Sequence, residues 1–165
     1  MRQSLPISAH GQRLGIAVLA VLGLAVLVIG PGATAASAAP APVFLQNYAT
    51  GLCLASNGSG QVYTESCTYG ISEEWEIAPT PSSTPNQAIQ SVETGLWLDS
   101  NHAGNLYTLP GNGGAYQSWV ELYPNDDGKF AFQDVATERW LDSDLAGAAY
   151  TNPGNGGRNQ SWSAE

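Results

Sequence analysis

Few residues of this chain could make or break bonds, and their spacing narrows the options. Cys53 and Cys67 are its two cysteines. A zinc site would need two more Cys or His ligands nearby, and beyond the first 38 residues the single histidine is His102. A Ser-His-Asp hydrolase would have to recruit that same His102, at the tip of an expected hairpin. Asp142-Ser143-Asp144 ahead of Gly147, and Asp99-Ser100-Asn101 ahead of Gly104, begin like calcium loops. Ala146 and Ala103 then occupy the next ligand position and no Glu closes either loop. Glycoside hydrolysis needs two facing carboxylates, and among 14 acidic residues no pair stands out. Asn57-Gly58-Ser59 and Asn159-Gln160-Ser161 have the form of glycosylation sequons. The expectation is a non-enzymatic protein with no cofactor and no metal.

Composition points to a secreted, neutral-ligand protein. Aliphatic and aromatic residues are too plentiful for disorder, and helix formers too scarce for a coiled coil. Arg2 and Arg13 precede Leu14–Ile29, 16 residues without a polar side chain, and a small-residue run ends Ala36-Ser37-Ala38. A basic head, a short apolar middle and an Ala-x-Ala end describe a signal peptide over 1–38. The apolar run is shorter than the ~20 residues that span a bilayer. Cleavage near Ala38 gives an extracellular domain, 39–165, with no stable membrane association; retention as an N-terminal anchor is the alternative. That domain has three basic side chains against 14 acidic ones. Nucleic-acid binding needs clustered Lys and Arg to replace phosphate counterions, so it is not expected. In an oxidising compartment a lone even pair of cysteines reads as a disulfide.

The elements that position these residues come in triplicate. Leu45–Trp75, Ile89–Trp119 and Phe132–Trp162 align without a gap; the second and third share 19 of 31 positions, the first and second 12. Gln46, Gln90 and Gln133 match, as do Thr50, Thr94 and Thr137. So do Leu54, Leu98 and Leu141, then Gly60, Gly104 and Gly147, and then the Tyr-Thr pairs that begin at Tyr63, Tyr107 and Tyr150. Such a period marks a repeat architecture. Each copy reads as β, with short alternating runs such as Phe130–Val135 broken by Gly- and Asn-rich turns. About four strands fit each ~43-residue period. The inter-repeat loops are Pro79–Pro85 and Pro124–Gly128, giving repeats of about 43–87, 88–130 and 131–165. Propellers typically need four or more blades, which favours a closed pseudo-threefold barrel.

The copies also account for the cysteines. Where the first has Cys53 and Cys67, the second has Trp97 and Gly111 and the third Trp140 and Gly154. Both positions change together, twice. Two side chains facing each other across neighbouring strands would do this, with a disulfide in one copy and an indole over a glycine in the others. Trp97 and Trp140 are then expected in the core, as are the block-end Trp75, Trp119 and Trp162.

The endings Gln117-Ser118-Trp119 and Gln160-Ser161-Trp162, with Glu73-Glu74-Trp75 as a degraded version, carry a Gln-x-Trp signature. With threefold repetition over about 120 residues, the domain resembles the ricin B-type β-trefoil lectins. The resemblance implies an all-β β-trefoil and a carbohydrate site within a repeat. In that family an Asp accepts hydrogen bonds from ring hydroxyls, an aromatic residue stacks on the sugar, and an Asn before the Gln-x-Trp glutamine holds another hydroxyl. The third copy matches with Asp142, Tyr150, Asn159 and Gln160. The second has Asp99, Tyr107 and Gln117, with Tyr116 in place of the Asn. The first keeps Tyr63 but has Ala55, Ser72 and Glu73 elsewhere, and resembles a lost site. The seven residues between Asp142 and Tyr150 make a shorter segment than in the plant toxin lectins.

Sugars are neutral, so planar hydrogen-bonding groups and an aromatic face must recognise them. After association costs, one shallow site should bind near ~1 mM, about −4 kcal/mol, and two sites on one polymer would raise avidity. Each residue also has a structural reading. The tyrosines could pack across strands, the aspartates could organise hairpins through backbone bonds, and the glutamines could brace the fold. A monomeric carbohydrate-binding module is the leading expectation. The rival is a trefoil used for protein contact, such as an inhibitor of a secreted enzyme.

Overall fold

The computed structural model describes residues 40–80, 86–124 and 128–165. The expected leader lies outside them, as do 81–85 and 125–127 within the two inter-repeat loops. Each copy contributes four strands. The first gives β1 (Val43–Asn47), β2 (Leu52–Ser56), β3 (Val62–Ser66) and β4 (Glu74–Pro79). The second gives β5 (Gln87–Ser91), β6 (Trp97–Ser100), β7 (Leu106–Leu109) and β8 (Trp119–Leu122). The third gives β9 (Ala131–Asp134), β10 (Arg139–Ser143), β11 (Ala149–Pro153) and β12 (Trp162–Ala164).

Six of these strands close a barrel. β1 pairs with β4, β4 with β5, β5 with β8 and β8 with β9, all antiparallel. Phe130, just ahead of β9, bridges Trp162, and β12 returns to β1. Closure removes the exposed edges that an open sheet would present. The three closing contacts, Val43 with Trp75, Gln87 with Trp119 and Phe130 with Trp162, occupy equivalent positions in the three copies. The interior repeats the same way. Leu45, Ile89 and Phe132, then Leu54, Leu98 and Leu141, then Trp75, Trp119 and Trp162 are all 0% exposed. The indole nitrogens donate to the carbonyls of Leu54, Leu98 and Leu141, so no core Trp leaves a buried donor unpaired.

The remaining strands form three hairpins, β2–β3, β6–β7 and β10–β11, that meet at one end. Each leans on the next by one backbone bond. Thr108 N donates to Gly60 O, Thr151 N to Gly104 O and Thr64 N to Gly147 O, each at 2.9 Å. These glycines have φ of +84 to +89°, and a Cβ there would lie 2.7–2.8 Å from the neighbouring threonine carbonyl. The shared Gly and Tyr-Thr positions are thus the joints of the cap, where both positive φ and close approach require glycine. The shared glutamines Gln46, Gln90 and Gln133 brace the first turn of each copy, donating to the carbonyls of Gly51, Gly95 and Glu138.

Cys53 and Cys67 are disulfide-bonded, with Cα atoms 5.0 Å apart. The exchange inferred from sequence holds in space, since a Cβ on Gly111 would lie 2.8 Å from Trp97 Nε1 and one on Gly154 2.4 Å from Trp140 Cε2. One part of that reading is corrected. Trp97 and Trp140 are half-buried, not core residues. They cover the outer side of their hairpins, where the glycine leaves room for an indole. Three short 3-10 turns, Ile71–Glu73, Ala115–Gln117 and Arg158–Gln160, precede the core tryptophans and were not anticipated.

Candidate functional site

Asp142 on β10 and Tyr150 on β11 are direct cross-strand partners, close enough for their side chains to interact. The 3-10 turn Arg158–Gln160 then carries Asn159 and Gln160 to the same hairpin, so the third copy brings its four expected residues together. Asp142 is 3% exposed. Its Oδ2 accepts from Gln160 Nε2 at 3.0 Å and Asn152 Nδ2 at 3.3 Å. Its Oδ1 is buried with no hydrogen-bond partner. Tyr150 is partly exposed. Burial first, then the charges of Asp142 and Asp144 and a hydrogen bond with Asp142, hold its phenol above the ordinary value. Asn159 is exposed and donates to Ser143 O at 2.6 Å, tying the turn to the end of β10.

Gln160 is buried and fully engaged. Its Oε1 accepts from Asn155 N at 2.9 Å, and its Nε2 donates to Pro153 O as well as to Asp142. It therefore fixes one carboxylate oxygen and leaves the other to a ligand. Asn152 was missed in the sequence. It lies two residues beyond Tyr150 on the same strand, hence on the same face, and that spacing is the signal that could have found it.

The second copy repeats the frame with different walls. Asp99, 4% exposed, faces Tyr107 across β6–β7. Burial raises its pKa, and hydrogen bonds from Tyr107 and Gln117 oppose the rise. Gln117 accepts from Asn112 N and donates to Pro110 O. Tyr116, 41% exposed, meets His102 edge to face at 5.9 Å between centroids. An aromatic pair thus stands where the third copy has an amide.

The first copy places Ala55 across from Tyr63. Its Glu73 is wholly buried and turns to the loop instead, accepting from Thr68 N at 3.0 Å and Tyr69 N at 2.6 Å. The sequence treats Glu73 and Ala55 as separate departures, but they are one change: a carboxylate at 73 excludes a second carboxylate at 55.

Hairpin organisation falls to residues two places after the aspartates. Asn57, Asn101 and Asp144 accept from loop amides, Asp144 from those of Ala146 and Ala148 at 2.9 and 3.1 Å. The calcium-like motifs spend this oxygen on the turn itself. Among the described residues no cluster of three His, Cys, Asp or Glu side chains could hold a metal ion.

No family model matches the chain, and no curated protein does. Solved structures do. A designed 3-fold symmetric protein, ThreeFoil, is similar with a TM-score of 0.66 at 20% identity, over 74% of this chain and 96% of its own. SeviL, in a structure bound to the asialo-GM1 saccharide, is similar with a TM-score of 0.63 at 16% identity, over 75% of this chain and 95% of its own. The closed six-stranded barrel, its three-hairpin cap and these neighbours agree: the chain is a β-trefoil protein.

Proposed function

We propose that this protein is a secreted, non-catalytic carbohydrate-binding module whose best site lies in the third repeat, with the second as a variant. The observation behind this reading is the Asp142 carboxylate. It is almost fully buried, one oxygen is held by Gln160 and Asn152, and the other lacks a partner. A buried acceptor without a donor is costly, and a sugar hydroxyl would supply the donor. Tyr150 across the hairpin offers an aromatic face and a protonated hydroxyl, and Asn159 a planar amide at the rim. A fold neighbour bound to a saccharide supports the ligand class. The leader-like 1–38 segment supports secretion, and the Cys53–Cys67 disulfide suits an oxidising compartment.

A glycan array read with wild type and with the Asp142→Ala, Tyr150→Ala double variant tests this. Saccharide binding that disappears in a folded variant supports it. A wild type that is folded but binds no glycan would overturn it and leave protein contact as the use of the surface.

A further inference from the structure

Triplication makes the chain its own control: a residue absent from the equivalent positions is a local addition. Tyr48 replaces Val92 and Val135, Arg158 replaces Ala115 and Ile71, and Lys129 has Asn86 and Pro42 as its counterparts. The three additions come from different parts of the sequence, yet the fold gathers them at one spot. The Arg158 guanidinium lies 5.0 Å from the Tyr48 ring centroid and Lys129 Nζ lies 5.6 Å from the same centroid. Arg158 and Lys129 are two of the three cations beyond the leader, and the third, Arg139, is engaged with Thr151 O at 2.9 and 3.1 Å. The spot adjoins the third-repeat site. Arg158 opens the turn that carries Asn159 and Gln160, Tyr48 N donates to Ser161 O at 2.8 Å, and neighbouring Asn47 donates to Asn159 O at 2.7 Å.

Resting on the carbohydrate reading, we infer that the third-repeat site takes an acidic saccharide. A neutral ring engages Asp142 and Tyr150, and a carboxylate or sulfate group on it or on the next residue reaches Arg158 and Lys129 over Tyr48. A single cation on an aromatic ring has a packing explanation. Two cations on one ring repel each other, and an anion between them relieves that repulsion. The domain's net negative charge disfavours polyanions. Charges beyond about 8 Å are screened at physiological salt, so the local pair governs a ligand with one or two charges.

The test is an array of matched glycans, with lactose, 3′-sulfolactose and 3′-sialyllactose among them, probed with wild type, Arg158→Gln and Lys129→Gln. Anionic members are expected to bind about fivefold tighter than their neutral partners, with the advantage fading toward ~0.5 M salt. Each variant should reduce that advantage and leave neutral binding intact. Wild type that binds neutral and anionic partners alike, or variants that keep the preference, would overturn this inference alone. Wild type that binds no glycan would overturn it together with the reading beneath it. Sulfate against sialic acid distinguishes the two sources of negative charge.

Discussion

Gln160 donates its side-chain amide to the Asp142 carboxylate at 3.0 Å, and in the first repeat the same two positions are Glu73 and Ala55. Amide goes with carboxylate, and carboxylate with methyl. A carboxylate facing Asp142 would place like charges in a buried space with no donor between them, so the two positions must change together.

Gln160→Glu is therefore expected to destabilise the domain by about 3 kcal/mol and to abolish saccharide binding. Adding Asp142→Ala recreates the first-repeat pair and should recover about 1–2 kcal/mol while binding stays absent. Urea unfolding of the two single variants and the double one measures the coupling. Additive effects would mean the two residues are independent.

Asp134 is 0% exposed, and burial raises its carboxyl above the ordinary range against opposing hydrogen bonds from Thr137, Ser100 and Ala136. A raised folded pKa means that its contribution to stability is fully present below the unfolded value near 3.8 and is lost as pH rises through the folded value. The equivalent positions hold Asn47 and Ser91, which are neutral. Asp134→Asn keeps an oxygen for the Thr137 amide, now held at 2.7 Å. It should equal or exceed wild type in Tm at pH 7, with any gain shrinking as pH falls toward 3.5. A variant that loses stability at pH 7 would show that the charge is needed.

The Cys–Trp exchange gives a constructive experiment. Trp140→Cys with Gly154→Cys places two thiols where the first repeat has a disulfide with Cα atoms 5.0 Å apart. The pair should oxidise spontaneously, and its cross-link would offset part of the lost indole packing, at ~3 kcal/mol for a loop of this length. Gly154→Ala alone drives a Cβ to 2.4 Å from Trp140 and should cost about 1–3 kcal/mol. Thiol titration and thermal melts decide both; two free thiols in the folded double variant would mean the repeats are not geometrically equivalent.

Most of the fold was legible because repetition amplifies weak signals. One Gln-x-Trp tripeptide says little, but three at one period fix strand number, barrel closure and the Trp core. The paired exchange of Cys53/Cys67 for Trp/Gly even gave a cross-strand contact. The depth of Trp97 and Trp140 was misjudged because an exchange reports adjacency and not distance from solvent. The site was half legible. Asp142, Tyr150, Asn159 and Gln160 stood in a recognisable order, but Asn152 has Leu109 and Glu65 as counterparts, so repetition hid it. The meeting of Tyr48, Lys129 and Arg158 depends on β1 closing against β12, a contact 112 residues apart between Asn47 and Asn159 that no local pattern announces.

Tyr150 has two parts that substitution can separate. Tyr150→Ala removes ring and hydroxyl together and should weaken saccharide binding by more than tenfold, the loss of a stacking face. Tyr150→Phe keeps the ring but deletes the hydroxyl that hydrogen-bonds with Asp142. A hydrogen bond to a charged acceptor is worth about 1.5–3 kcal/mol, and a bound sugar hydroxyl can take over part of that role. A loss of about fivefold is therefore expected for the Phe variant, with its Tm slightly lowered. Because the phenol's pKa lies above its ordinary 10.0, wild-type binding should not fall between pH 8 and pH 10 through ionisation of Tyr150. Titration calorimetry of the three proteins across that range would decide the matter. Equal losses for Phe and Ala would place the whole contribution in the hydroxyl and remove the ring from the recognition surface.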